Sequence, residues 1–487
     1  MTRHRPLFAR LLLTAGASIA VSACVAGPAP EIATPPPALP QSFAYTASGE
    51  TEASVDALLP VNDPAFLTLS DAALAGSPSL LEAAARIDKA IANAAGAGAN
   101  RMPVVSGDAS VAGTRTSPAQ FGSNLPAAFG IDSERMRYGA NISGSWDPDL
   151  FGQLRARERA ADSLVDAAGA DAAALRISIM AEIAAAVVDW RTLKAREASL
   201  KEDLVAAETL VTLADIRERA GIAPGFDRVR AETVAESSRA RIAALDSERV
   251  RIVGRLVTLT AQPAQSVKEA LAQPGPAASI PDAPSTTPSQ LLANRPDIQA
   301  AAARLAASDA QLYAAAADRF PKFTLSAALG LLAFDVGGLF DGDAAVGSAG
   351  GSLLAPLLDF GRIEAQIDGA AADKRAAFQA YRGRVFAALG EAETAYGLVQ
   401  SSDRQLVAAE RERASANRAA ELAEVRFRAG LSNFLTVLDA RRAADASGER
   451  VAVTRGQALR SRLLLWQALG GNNGFVNDQA ITRSTSQ

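Results

Sequence analysis

The sequence predicts a mostly α-helical chain with a few membrane-type β strands, built as a duplicated helix, β-hairpin, long helix, helix unit. Three observations carry this. The stretch from Gln153 to Ala220 contains no proline and a single glycine, Gly169. One apolar row climbs it: Leu164, Ala168, Ala172, Leu175, Ile179, Ile183, Ala186, Trp190, Leu193, Glu197, Leu200, Leu204, Ala207, Val211, Ala214. Its steps average about 3.57 residues, between the coiled-coil and straight-helix periods, and only Glu197 breaks it. Both ends of this stretch also recur 209 residues later. Phe151-Gly152-Gln153-Leu154 returns as Phe360-Gly361-Arg362-Ile363. Arg217-Glu218-Arg219-Ala220-Gly221 returns as Arg426-Phe427-Arg428-Ala429-Gly430. Two landmarks at one offset mean two long helices of equal length, hence two copies of one unit. A helix of this length runs roughly 100 Å, too long for a compact domain, so it is a barrel stave, a coiled-coil arm or a spacer.

The elements follow in order. Residues 1–23 read as a lipoprotein signal peptide: Arg3, Arg5 and Arg10 precede the apolar run Leu11 to Val21, which is too short to span a bilayer. Val21-Ser22-Ala23-Cys24 looks like a lipobox, so Cys24, the only cysteine, is expected to carry the lipid. Val25 follows it, where an aspartate would favour retention in the inner membrane. Residues 24–60 form a lipid anchor and proline-rich tether. Asp63 and Pro64 should cap and start a short helix. Ser79 and Glu82 have capping-box spacing for a helix reaching about Asn100.

After Met102-Pro103 the period changes to two. Val105, Gly107, Ala109 and Val111 alternate with polar residues, and so do Tyr138, Ala140, Ile142, Gly144 and Trp146. This is the alternation of a membrane barrel strand. The competing reading, a sheet lying on a soluble core, needs a bulky partner layer that alanine-rich helices supply poorly. The long helix comes next, then a turn at Gly221 to Gly225 and a return helix from about Asp227 to Thr260. These elements make a first repeat over residues 61–262. Residues 263–288 form a linker with a short helix near Val267 to Leu271. The second repeat covers 289–470. Its helix opens at Leu291-Leu292-Ala293-Asn294-Arg295-Pro296-Asp297-Ile298, with Pro296 in the first turn, its strands are Phe323 to Leu331 and Gly347 to Leu357, and its helices are Arg362 to Arg428 and Phe434 to Leu469. Residues 471–487 form a polar tail.

The inventory excludes several function classes. Without the leader's three arginines the chain has 46 basic against 53 acidic residues, which gives no footprint for nucleic acid. The only histidine, His4, lies in the leader. Nucleophile systems built on histidine or cysteine and ordinary zinc sites are therefore absent from the mature chain. The expectation is no enzyme and no cofactor. Trp190 reads as packing, and the Arg- and Glu-rich faces as solvated surface or lumen lining.

Four strands per chain cannot close a barrel, and an open edge is not tolerated in lipid. Three chains give twelve strands and leave room for water. Each long helix is matched by two shorter ones end to end, giving four lanes per chain and twelve per trimer. At helix-packing spacing the ring is roughly 35 Å across. The expected assembly is a trimeric 12-stranded β-barrel continued by a 12-lane α-helical periplasmic barrel.

Three motifs in order carry a family resemblance over about residues 60 to 470. Leu291 to Ile298 resembles an "LLxxRPDI" signature. Trp146-Asp147-Pro148-Asp149-Leu150-Phe151-Gly152 resembles the "ELDLFG" approach to the long helix. Arg426 to Gly430, followed by Val437-Leu438-Asp439-Ala440, resembles the "RYxxG…LLDA" helix tip. The chain is similar to TolC-type outer-membrane factors of the NodT group of efflux lipoproteins. The resemblance implies a homotrimeric duct, lipid-anchored in the outer membrane of a Gram-negative bacterium and extending into the periplasm. It also implies a periplasmic adaptor and an inner-membrane RND transporter as partners, with drugs or other small molecules as cargo.

The tips, with Arg219 and Gly221 in one and Arg428 and Gly430 in the other, are then the adaptor-docking end. Acids at the offsets of Asp227 and Asp439 face the lumen in that family and form an entrance gate. Helix capping is the alternative for Asp227. Pro148 and the Pro224-Gly225 turn depart from the family pattern. Two competing readings are a duct for secreted polypeptides and a pore-free periplasmic structural lipoprotein, which would need no strands.

Overall fold

The computed structural model describes residues 29–45, 54–115, 134–276 and 279–471. The signal peptide, Cys24, most of the first hairpin loop and all of the tail beyond Gly471 lie outside the described residues. Nine α-helices and four strands order the described chain. They are α1 (Pro64–Gly76), α2 (Pro78–Ala99), β1 (Val104–Arg115), β2 (Glu134–Trp146), α3 (Gln153–Arg219), α4 (Gly225–Thr260), α5 (Ala264–Ala272), α6 (Pro288–Asn294), α7 (Pro296–Ala317), β3 (Lys322–Ala333), β4 (Ala345–Leu354), α8 (Arg362–Arg428) and α9 (Phe434–Ala468). Each half runs helix, hairpin, long helix, helix, and α3 and α8 are both 67 residues long. The duplication and the equal helix lengths read from the 209-residue offset are therefore present in the fold.

The chain divides into two units. The first holds the sheet, residues 88–166 and 302–379 with the segment up to 35. Its strands lie in the order β1-β2-β3-β4, all antiparallel. Val105 pairs with Gly144, Ile142 with Leu329, and Phe323 with Leu353. Directly opposed residues share a face, so this register places Val105, Val111, Tyr138, Ile142, Trp146, Leu325, Leu329 and Leu353 on one face. The other face carries Ser106, Asp108, Asn141, Ser143, Thr324 and Ser326. There Ser106 Oγ meets Ser143 Oγ at 3.1 Å and Asn141 Nδ2 donates to Asp108 Oδ1 at 3.3 Å. The apolar face is open: Val105 is 69% and Leu329 70% exposed. β4 begins two residues earlier and ends three earlier than the alternation suggested, because glycine and alanine blur the pattern there.

The second unit comprises the described residues within 36–87, 167–301 and 380–471. Its core joins Leu69, Ile183, Val187, Leu256, Leu271, Leu291, Val385, Leu465 and Trp466. The apolar row of α3 is buried at Ile179, Ile183, Ala186, Leu193, Leu200, Ala207 and Ala214, whereas Leu164 is exposed. Glu197, the break in the row, is held by Lys201 at 2.9 Å and by Arg249. Trp190 packs against the core and its Nε1 donates to the Leu271 carbonyl at 3.1 Å.

Two helix starts differ from expectation. Asp63 does cap α1, accepting from Ala65 N at 2.9 Å. The Ser79–Glu82 box does not form. Pro78 takes the first helical position of α2, the Ser77 carbonyl accepts from Leu80 and Leu81, and Glu82 pairs with Arg86 instead. Proline suits that first position because its missing N–H has no helical partner there. The stretch Leu291 to Ile298 is two helices where one was expected, and Pro296 stands in the first turn of the second, as its place in the sequence suggested. Pro296 forces Arg295 into extended backbone, ending α6 and starting α7. A capping box of Thr287 and Gln290 opens α6.

Candidate functional site

The two tips are built alike. At the first, Gly221 N donates to Glu218 O at 2.9 Å and Ile222 N to Arg217 O at 3.0 Å. At the second, Gly430 N donates to Phe427 O at 2.9 Å and Leu431 N to Arg426 O at 2.8 Å. Both are Schellman closures, which need a left-handed residue after the helix. Gly221 has φ +67 and Gly430 φ +75, so both motif glycines are required by the turn. The tips pack together. The Arg217 guanidinium lies 4.8 Å from the centre of the Phe427 ring, and Phe427 lies 5.7 Å from Phe434. Beneath them Leu210, Ala214, Ala231, Val234, Val437 and Leu438 form a local core.

The candidate docking arginines point to solvent. Arg219 pairs with Asp215 at 2.8 Å and Arg428 with Glu424 at 3.5 Å, each within its own helix. Exposed Ile222, Phe226 and Val229 flank the first tip, and Leu431 and Leu435 the second.

The unusual Pro224-Gly225 turn has a structural reason that its sequence did not reveal. Arg228 bridges Glu218 at 2.8 Å and Glu232 at 2.5 Å, bracing the turn from α3 to α4. A side chain at position 225 would place its Cβ 2.5 Å from Glu218 Oε1. Among the described residues the second tip shows no such ion-pair brace. There Asn433 caps α9, accepting from Thr436 N at 2.9 Å.

Asp227 is half-buried in the first turn of α4, whose N-cap, Pro224, makes no side-chain cap bond. Asp439 has a 61% exposed side chain and reaches Arg442 only at 3.9 Å. It lies on the face of α9 opposite buried Val437 and Leu438, and Asn433 already supplies that helix with its cap. Asp227 thus stands where an acid favours the helix dipole, and Asp439 lies beyond the first turn of a helix whose cap Asn433 supplies. Among the described residues no hydrogen bond or ion pair joins the two acids.

Two further charged sites sit in the second unit. Arg295 of the "RPD" motif is buried. It donates twice to Asp297, at 3.0 and 2.9 Å, pairs with Glu391 at 2.7 Å and closes the end of α9 through the Ala468 carbonyl at 2.8 Å. Burial would raise the Asp297 carboxyl, but the guanidinium fork holds it below the ordinary value. The other site pairs Asp203 of α3 with Asp445 of α9, both more than nine-tenths buried. No motif marks these acids. The available signal was spacing: Asp445 follows core residue Leu438 by seven, and Asp203 sits beside Leu200 and Leu204 of the apolar row. Among the described residues no helix is long and apolar enough to cross a membrane, and no cluster of three or more potential metal ligands is present.

A family model described as "Outer membrane efflux protein" matches residues 69–262 and 287–471. The chain is 30% identical over 412 residues to a pyoverdine export outer membrane protein, OpmQ, of Pseudomonas putida, covering 84% of this chain and 86% of that one. It is 28% identical over 443 residues to nodulation protein T of Rhizobium leguminosarum bv. trifolii, covering 89% and 91%. Among solved structures, the outer-membrane channel OprN superposes with a TM-score of 0.83 at 29% identity, over 92% of this chain and 99% of that one.

Proposed function

This chain belongs to the outer membrane efflux protein family of TolC-like channels, and we propose that it is a passive trimeric conduit for small molecules across the periplasm and outer membrane. One observation supports this reading most. Among the described residues the sheet presents an uncovered apolar face and leaves β1 and β4 as unpaired edges. In lipid such edges must be satisfied, and two more copies of this chain can supply the missing pairing by closing a twelve-stranded barrel. The apolar face then meets lipid and the Ser- and Asn-bearing face meets water.

The two repeats are assigned to residues 61–262 and 289–470, joined by 263–288. The paired tips are the adaptor-docking end. Arg219 and Arg428 offer charge there, and the exposed apolar residues around Gly221 and Gly430 offer contact area. An RND transporter in the inner membrane is the proposed source of energy. Asp439, and with it Asp227, forms the entrance ring, three copies of each concentrating negative charge at the narrowest point. Lipidation at Cys24 adds a second hold on the outer membrane. The relative named for pyoverdine export favours a small-molecule cargo over a polypeptide.

The test is planar-bilayer recording of the purified full-length protein, with its oligomeric state measured by cross-linking. Cross-linked trimers with stepwise conductance are expected. Folded protein that stays monomeric, or trimers that never conduct, would overturn the proposal.

A further inference from the structure

We propose that Asp203 and Asp445 form a proton-holding clasp between α3 and α9, which ties the two helices while one proton is shared and loosens them when both carboxyls ionise. The geometry comes first. The two acids lie on different helices, Asp203 is 6% and Asp445 5% exposed, and the contact of Ser199 with Gly448 and the Arg196–Glu449 pair at 2.9 Å set α3 beside α9 at their level. Two carboxyls buried side by side disfavour double ionisation, so the pair is placed to keep one proton between them. Each also has an oxygen, Oδ2 of Asp203 and Oδ1 of Asp445, with no hydrogen-bond partner among the described residues. Arg441 Nε stands 3.2 Å from Asp445 Oδ1 but off the line of a hydrogen bond.

The surroundings do not balance a second charge. Three arginines are within the network: Arg196 of α3, Arg241 of α4 and Arg441 of α9. Four carboxylates already oppose them, namely Glu202 and Asp203 of α3, Glu248 of α4 and Glu449 of α9. Glu449 takes up Arg241 and also Arg196, the latter at 2.9 Å, so those cations are committed. From α8, which packs on α9 through Leu406 and Ala409, Glu412 is engaged by Arg450 at 3.1 Å. Ionising Asp445 would add a fifth carboxylate to three cations in a water-poor site. Burial, then the Asp203 charge, push the Asp445 carboxyl up to about 7, and burial also raises Asp203. Asp445, pushed up by burial and by the Asp203 charge, is placed as the donor and holds its proton more tightly than a free aspartate does. The exchange is simple: the Asp445 O–H bond breaks, its electron pair stays on oxygen, and the proton passes to water.

The sign follows from linkage. A carboxyl whose folded value lies above its unfolded value stabilises the fold at low pH, and this stability is lost as pH rises from the unfolded value through the folded one. The clasp thus tightens in acid and slackens above neutrality, independently of what the conduit carries.

The experiment is thermal unfolding of the full-length protein at about pH 5 and about pH 8, inside and beyond that window. The wild-type melting temperature should fall on going to the higher pH. Asp445→Asn and Asp203→Asn should each remove at least half of that fall, because either leaves one carboxylate and an amide that can still hydrogen-bond. Exposed Asp439→Asn should leave the fall unchanged. The infrared band of a protonated carboxyl should be present in wild type near neutrality and absent from Asp445→Asn. If one Asn variant fails to fold, the other and the wild-type band still decide. A wild-type melting temperature that does not fall, an Asn variant that keeps the full fall, or absence of the band would each overturn the clasp.

Discussion

Replacing Gly430 with valine should impair export without lowering the amount of assembled protein. Gly430 sits at φ +75, and a Cβ there would meet nothing within 4 Å. The penalty is therefore purely one of backbone, about 1–2 kcal/mol for a left-handed L-residue and toward the upper end for a β-branched one. If the turn yields instead, it gives up the Gly430–Phe427 and Leu431–Arg426 bonds, which contribute on the order of 1 kcal/mol each. Either way the loss stays at the tip. The core beneath it, with Phe427, Phe434, Val437 and Leu438 buried, does not depend on that turn for its packing. The expected result is a normal trimer level, reduced efflux-dependent resistance and fewer cross-links between residues 428–431 and the adaptor. Asparagine, which tolerates left-handed backbone, should restore much of the function. Gly225→Ala should be milder, since there the clash is with the movable Glu218 carboxylate at 2.5 Å. Gly430→Val with wild-type export and unchanged cross-links would refute the reasoning that this turn is a docking element.

Other outcomes are equally specific. Arg295→Ala should destabilise by about 3–5 kcal/mol, because it strands half-buried Asp297 and uncaps the Ala468 carbonyl; a loss under about 1 kcal/mol by denaturant titration would contradict this buried role. Asp439→Ala should reduce cation selectivity in bilayer reversal potentials with thermal stability unchanged, whereas Asp227→Ala should also weaken α4. A double variant with undiminished cation selectivity removes the proposed ring. Cys24→Ser should yield a mature protein without acylation by intact-mass analysis that still assembles; an unacylated wild-type chain beginning at another residue would exclude Cys24 as the anchor.

The long helices were the most legible part of the fold. Their apolar period extends over many turns, and α8 begins and ends where the repeat offset placed it. The strand faces were legible for the same reason. A period of two has only two phases, and Tyr138, Ile142 and Trp146 set one of them, which the register with β1 and β3 then confirms. What the sequence hid was polar pairing between distant residues. Arg228 is not among the residues that the sequence singled out, yet it braces its tip through Glu218 and Glu232. Periodicity identifies a face, but not whether an acid on that face meets an arginine, a carbonyl or a second acid.

This difference bears on how the duplicated unit diverged. The two tips keep the same Schellman bonds because only a left-handed residue after the helix can form them, and both positions have stayed glycine. Side-chain bonds are under no such constraint, since any donor of suitable reach can serve. The first tip accordingly carries an arginine brace where the second uses an asparagine cap. At the approach to each long helix, Asp149 Oδ1 accepts from Leu154 N at 2.9 Å, while in the second repeat Asp359, one position later in the alignment of the copies, accepts from Ile363 N at 2.7 Å. Backbone geometry is held in common by the copies, and polar chemistry is particular to each. The acid pair Asp203–Asp445 belongs to the second kind, because adding the 209-residue offset to Asp203 gives position 412, a glutamate that faces Arg450. A proton-dependent contact has therefore formed on one side of a fold whose backbone remains close to twofold repetition.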